Sequence, residues 1–387
     1  MVFLSGARRV GKTTLGELIG EGFPNQDYLN CETPQDRTRL VRNPGFFEGI
    51  ERRDESTPLV VLDEINRHRG WRKYIKGAYD RTEGDYQFLL IGSSRMDQAQ
   101  RRGDSLAGRY YLLSLWPFTQ AELGLANRSW EEFSANPLQV SMERHRELRE
   151  LWRGLCELSG FPEPHLAGRE TAYRRWSNAY AEQLIREDMR DLTAIKALAE
   201  LETLYHLLPA QVGQPLSVPA LASGLQVAYN TVRSWLGTLQ RFCTVFSLSP
   251  WSRGVPRAIR EGQKVYLADV PRVKDAAARF ENAVAIELLR AVTSWTELGF
   301  GRFSVHFIRT KDQQEVDFVL VEDGRPILLV DAALEAQQPS PALIKFQDAL
   351  KVPAVQLVGA AEGYRRIPND GQTIVVAPAC QYLAGLP

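Results

Sequence analysis

Residues Gly6-Ala7-Arg8-Arg9-Val10-Gly11-Lys12-Thr13 fit the pattern GxxxxGK[ST] at every fixed position, and Thr14 follows directly. Each type has a physical task. The glycines let backbone N–H groups curl around phosphate oxygens, Lys12 reaches the β and γ phosphates, and Thr13 offers a hydroxyl to Mg²⁺ at a helix start. The loop from Gly6 to Thr14 is therefore expected to hold the phosphates of a nucleotide. A second stretch, PLVVLDEI over 58–65, is an apolar strand that ends in two acids. Beside a phosphate loop, Asp63 is expected to hold Mg²⁺ through water, and Glu64 to orient and polarise an attacking water. Taken alone, the same stretch also reads as a strand stopping at a solvated acidic turn. Ser93, with Ser94, closes the run LLIGSSR, where a hydroxyl can sense the γ phosphate; a helix N-cap is the competing reading. Arg109 in SLAGRYY is the candidate arginine finger, supplied across a subunit interface, and an arginine with a local surface partner is its rival.

The elements that must position these groups are legible as apolar runs. VFLS (2–5), YLN (28–30), LVVLDE (59–64), FLLIGSS (88–94) and YYLLSL (110–115) are short strand patterns alternating with helical ones. The runs at 59–64 and 88–94 are continuous rather than alternating, which predicts strands buried on both faces in a parallel α/β sheet. From about 130 to 202 the pattern becomes helical and charged. LSVPALASGLQVAYNTVRSWLGTLQRF then reads as two helices joined by a tight turn near Gly224, and CTVFSLSPWSRG as a strand and wing. Beyond 270, a helix (ARFENAVAIELLRAV) precedes FSVHFIRT, EVDFVLVEDGRPILLVDAAL and AVQLVG, a helix followed by a strand meander.

GARRVGKTT, VVLDEI, FLLIGSS, SLAGR and LSLWPFTQAEL together resemble the prokaryotic AAA-type ATPases that carry a DUF4143 C-terminal region, and the likeness continues through GFPEP, RRW, LIREDM, FENAVAIELL, EVDFVL and VPAVQLV. The resemblance implies an α/β P-loop NTPase core of the AAA-like kind over 1–125, with ATP and Mg²⁺ as its cofactors. Behind it come a helical lid over 126–203, a winged helix-turn-helix over 204–270, and an α+β domain over 271–387 similar to the PD-(D/E)xK restriction endonucleases. It also implies a segment ahead of the first strand, near the nucleotide base; either the start lies upstream or adenine is held differently. In the nuclease-like domain, Asp317 and Asp331 fall where the two acids of that fold stand, with Glu281 on the preceding helix as a third. The position of the fold's lysine, two after Asp331, is Ala333, so the domain is expected to lack hydrolytic activity. Lys345, on the next helix pattern, could reach back, but nothing in the sequence requires it; solvated acids at strand ends are the competing reading of Asp317 and Asp331.

On the would-be recognition helix, Asn230, Thr231, Arg233 and Arg241 are candidate DNA contacts, and Trp235 is expected in the core. Arg233 and Arg241 are the only basic residues between 201 and 250, so this segment alone promises weak duplex binding, or a purely structural role. The whole chain offers no bulk field: 47 basic and 47 acidic residues cancel, so any polyanion contact must be local. Four dispersed cysteines without a CxxC pair argue against a zinc site or a disulfide framework, and the five histidines lack ligand spacing. Without a membrane-length apolar run or a leader, a soluble cytoplasmic protein with no membrane partner is expected. The combined expectation is an oligomeric ATP hydrolase, a hexameric ring being one form, that couples turnover to binding, remodelling or translocating DNA, branched or single-stranded forms included. The alternatives are an ATP-loaded switch in a signalling or defence complex, and an ATP-gated nuclease.

Overall fold

Every residue of Leu59–Asp63 (β3) is buried, and its side chains divide between two cores. Val60 and Leu62 pack with Phe3, Leu29, Phe88 and Leu90 on one side, and Leu59 and Val61 with Leu4, Leu89 and Ile91 on the other. This is why the strand reads as an unbroken apolar run: both faces of the sheet are covered. In a computed structural model, which describes residues 1–82, 84–92, 106, 108–125, 128–189 and 198–387, the chain forms two compact units. One is Met1–Trp116 with Arg241–Cys243; the other is Pro117–Gln240 with Thr244–Pro387.

The first unit is built on a five-stranded sheet of β1 (Val2–Gly6), β2 (Gln26–Asn30), β3, β4 (Gln87–Ile91) and β5 (Tyr111–Leu115) in the order β2-β3-β4-β1-β5, every neighbour parallel. Helices α1 (Lys12–Glu21), α2 (Pro34–Arg42) and α3 (Trp71–Thr82) fall between the strands in sequence. Helix α1 lies close on the sheet because Gly16 carries no side chain; a Cβ there would stand 2.3 Å from Ile91 Cδ1. With β4 inserted between β1 and β3, the loop after β1 and the acids ending β3 leave the same sheet edge, the place where open parallel sheets hold ligands.

In the second unit, α4 (Gln120–Leu123), α5 (Trp130–Ala135), α6 (His145–Leu158), α7 (Pro162–Ala167), α8 (Glu170–Gln183) and α9 (Leu198–Leu207) form a helical segment, α8 passing into a π-helical stretch at Leu184–Met189. Next come α10 (Val218–Gly224), α11 (Tyr229–Arg241) and an antiparallel hairpin of β6 (Val245–Leu248) and β7 (Lys264–Leu267). The long α12 (Ala276–Glu297) leads into a six-stranded mixed sheet of β8 (Phe303–Arg309), β9 (Glu315–Glu322), β10 (Arg325–Ala333), β11 (Ala354–Val358), β12 (Arg365–Asn369) and β13 (Gln372–Pro378), ordered β12-β13-β11-β10-β9-β8. Strands β8, β9 and β10 are an antiparallel meander, and β10 pairs with β11 in parallel. Helix α13 (Pro341–Leu350) packs Leu343 and Phe346 against Val319, Val321 and Leu329, and α14 (Ala379–Ala384) closes the chain. Among the described residues no helix is long and apolar enough to cross a membrane.

Candidate functional site

The loop after β1 has the conformation its glycines predict. Gly11 sits at φ 99° as the residue capping α1, and Arg9 is also left-handed at φ 58°. At Gly6, a Cβ would lie 2.3 Å from the carbonyl oxygen of Leu115, so no larger residue fits between β1 and β5. Ala7 and Val10 are buried, Thr13 and Thr14 are exposed, and Arg8 and Arg9 lie on the loop. Lys12 is buried, 6% exposed, and its Nζ donates to the carbonyls of Gly6 (3.2 Å) and Ala7 (2.8 Å). The ammonium is thus held over the loop it belongs to. Burial pulls its pKa below the ordinary lysine value, with Glu64 and Asp63 opposing the shift.

Asp63 is fully buried at the end of β3. Its Oδ2 accepts from Thr13 Oγ1 at 2.7 Å and from Tyr28 Oη at 2.8 Å. Its Oδ1 is buried without a hydrogen-bond partner. A buried carboxylate oxygen left over beside a threonine hydroxyl is a donor set that suits a hard cation, and Thr13 and Asp63 are the residues that would hold Mg²⁺. Tyr28, on β2, carried no signal in the sequence, because its phenol meets Asp63 only once β2 and β3 are paired.

Glu64 follows directly in a left-handed conformation, φ 48°, rare for a residue with a Cβ and common where function dictates backbone shape. Burial raises its carboxyl pKa, Asp63 adds to the rise, and Lys12 pulls against it. Arg109 is half-buried and forms a two-pronged pair with Asp80 of α3, Nε to Oδ1 at 2.7 Å and Nη2 to Oδ2 at 3.4 Å. Ser93 and Ser94 lie outside the described residues.

In the second unit, Asn230 and Arg233 are exposed on α11, Thr231 is half-buried, and Trp235 is buried at 4%; Arg241, exposed at the end of α11, falls in the first unit. Asp317 on β9 and Asp331 on β10 are neighbours: Asp317 N donates to Asp331 Oδ1 at 3.4 Å and Ala332 N to Asp317 Oδ2 at 3.0 Å. Glu281 of α12 joins them indirectly, through Lys264 of β7, which contacts Glu281, Glu315 and Asp317. Sequence reasoning missed Lys264. Lys345 is exposed and donates to Gln314 instead.

Residues 1–124 match the family described as an AAA domain, and residues 149–273 match a domain of unknown function, DUF8612. An uncharacterized protein of Mycobacterium tuberculosis is 25% identical over 396 residues, spanning 99% of this chain and 81% of the relative. One of Methanocaldococcus jannaschii is 23% identical over 298 residues, 70% of this chain and 61% of its own. Among solved structures, the Aeropyrum pernix ORC1 protein in complex with DNA aligns over 73% of this chain and 85% of that one, at 16% identity and a TM-score of 0.32. Thermotoga maritima RuvB aligns over 63% and 80%, at 18% identity and 0.27. The family match and the loop together support an AAA-type P-loop domain at the N-terminus.

Proposed function

We propose that this protein is an Mg²⁺-dependent ATP hydrolase that assembles into homo-oligomers and couples turnover to binding, remodelling or translocating DNA. The observation that carries the hydrolase reading is the convergence of Lys12, Thr13 and Asp63 at one edge of a parallel sheet, with Glu64 next in the chain. In this reading Lys12 exchanges the carbonyls of Gly6 and Ala7 for phosphate oxygens. Loop amides from Gly6 to Thr14 share the remaining negative charge. Bound through Thr13 and Asp63, Mg²⁺ would supply charge neutralisation for the triphosphate. Glu64 orients the attacking water and draws on its proton, a role that its strained backbone and half-buried carboxylate support. Ser93 would sense the γ phosphate, and Arg109 would complete the site from a neighbouring subunit. Exposed Asn230, Arg233 and Arg241, with Thr231, are the proposed DNA contacts of a winged-helix segment.

A second reading has one observation in its favour. Arg109 is engaged by Asp80 within its own chain, as expected of a switch in which ATP occupancy changes a resting contact and hydrolysis is slow. DNA separates the two, since a motor's turnover rises several-fold with DNA and forms rings with nucleotide, whereas a switch is indifferent. The hydrolase reading itself is tested by equilibrium binding of an ATP analogue and single-turnover hydrolysis. Lys12→Ala should abolish binding; Glu64→Gln should bind as wild type and trap ATP, losing on the order of 10²-fold or more in turnover. Equal affinity in wild type and Lys12→Ala would defeat it.

A further inference from the structure

Lys264 opens β7, and its side chain has no solvent exposure. A buried ammonium persists only when it is paired. Here the pairing is threefold: Nζ lies 2.9 Å from Glu281 Oε1, forms a direct ion pair with Glu315 Oε1, and stands 3.6 Å from Asp317 Oδ1. Burial alone would lower the pKa of Lys264, but Glu281, Asp317 and Glu315 outweigh it and raise it above the ordinary value, so the group stays charged. Tyr266, on the same face of β7, donates its hydroxyl to Glu281 Oε1 at 2.7 Å. The outer oxygens are also engaged. Arg309 Nη1 meets Glu315 Oε2 at 2.7 Å, and Ala332 N meets Asp317 Oδ2.

Two of these acids, Glu281 on α12 and Asp317 on β9, are ones the nuclease resemblance expects as metal ligands; Asp331 on β10, its other acid, accepts from Asp317 N at 3.4 Å. A divalent metal of the Mg²⁺ or Mn²⁺ kind needs several oxygens free to turn toward it at about 2.0–2.2 Å. The residues present do not fit that need, because one oxygen each of Glu281, Glu315 and Asp317 converges on an ammonium instead, and the second oxygens of Glu315 and Asp317 are held by Arg309 and Ala332. Among the described residues no group of three or more histidine, cysteine, aspartate or glutamate side chains is arranged to hold a metal ion. Nor can Lys264 substitute for the lysine that Ala333 lacks, since a fully buried Nζ presents nothing to a phosphodiester.

We propose that Lys264 is the resident cation of this carboxylate socket, standing where a nuclease of this fold would hold a metal, so that the domain takes up no divalent ion and the cluster clamps the β6–β7 hairpin onto α12 and β9. The terminal domain then binds or assembles, and the acids survive as a structural lock.

The test is Mn²⁺ uptake by the full-length, nucleotide-free protein, read from the electron paramagnetic resonance signal of unbound Mn²⁺. Any ion held near Asp63 is common to all variants and cancels. Wild type and Asp317→Asn should take up equal amounts. Lys264→Ala should melt several degrees lower than wild type and bind one more Mn²⁺ per chain than Lys264→Ala/Asp317→Asn, with Mn²⁺ raising its melting temperature. Wild type binding one more ion than Asp317→Asn would overturn the proposal, as would Lys264→Ala melting like wild type. If Lys264→Ala does not fold, the comparison of wild type with Asp317→Asn decides alone.

Discussion

Asp63 shows how much one residue's role depends on partners far away in sequence. That it would face a phosphate loop was legible, because an apolar strand ending in acids has few other uses next to GxxxxGKT. That Tyr28 would share its Oδ2 with Thr13 was not, since YLN carries no chemical pattern and the contact exists only through the β2–β3 register, Tyr28 beside Val61 and Asn30 beside Asp63. Tyr28 is therefore a positioning residue by this geometry: its phenol, whose pKa is raised by burial and by Asp63, stays protonated and fixes the carboxylate's orientation. Groups that orient a metal ligand typically contribute about 10- to 100-fold in metal affinity. Tyr28→Phe should raise the Mg²⁺ concentration that half-saturates ATP turnover by about tenfold, with little change at saturating Mg²⁺. A Mg²⁺ titration identical to wild type would reduce Tyr28 to packing. Lys264 was hidden for the same reason, as a lone lysine in EGQKVYLADV whose acids arrive from two other elements.

Burial alone did not make an element legible: β7 and β13 are largely buried, yet KVYL and QTIVVAP were not read as strands. The strands of the first unit and the hairpin of β9 and β10 announce themselves as apolar runs, because both faces or one long face are covered. Strand β12 was missed: RRIPN is an exposed, polar edge strand that carries Pro368, and edge strands need no apolar signature. Helix α12 was read from its periodicity, yet its interior carries Glu287, 3% exposed, accepting from Gln120 N at 2.8 Å. Burial raises this carboxyl from 4.5 to about 7, Arg290 and the Gln120 amide pulling it back and Glu122 adding to the rise. The folded state therefore holds a proton that the unfolded chain releases. Stability from this group is greatest below pH 4.5, declines as pH climbs to about 7, and is level above that. The full decline is about 3 kcal/mol. Glu287→Gln keeps an acceptor for Gln120 and should be more stable than wild type by about that much at pH 8, the gap narrowing toward pH 5 in denaturant melts. A gap independent of pH would show that Glu287 does not titrate in this range.

For the whole molecule, the balanced charge offers no bulk field toward any partner and leaves assembly open. The parallel sheet of the first unit followed from local patterns, but of the terminal sheet only the runs of β8 to β11 did; how copies meet depends on surfaces that no periodicity encodes. Arg109 is where this question becomes testable. A half-exposed pair such as Arg109–Asp80 contributes at most about 1 kcal/mol to stability, so its loss alone cannot unfold the unit. If Arg109 acts across an interface, it must leave Asp80 to do so, and the two partners of the pair then have opposite effects on catalysis. Arg109→Ala should lose on the order of 10³-fold in turnover with ATP affinity little changed. Asp80→Ala, which removes that carboxylate from the guanidinium, should match or exceed wild type. Mixing Arg109→Ala with Glu64→Gln should restore a fraction of activity, since some interfaces then pair an intact Arg109 with an intact Glu64. A pair that is only structural behaves otherwise: both single variants shift the melting temperature alike, neither changes turnover per folded chain, and mixing restores nothing. A protein that stays monomeric with nucleotide, with Arg109→Ala fully active, would remove Arg109 from the chemistry and leave the P-loop site to work within one chain.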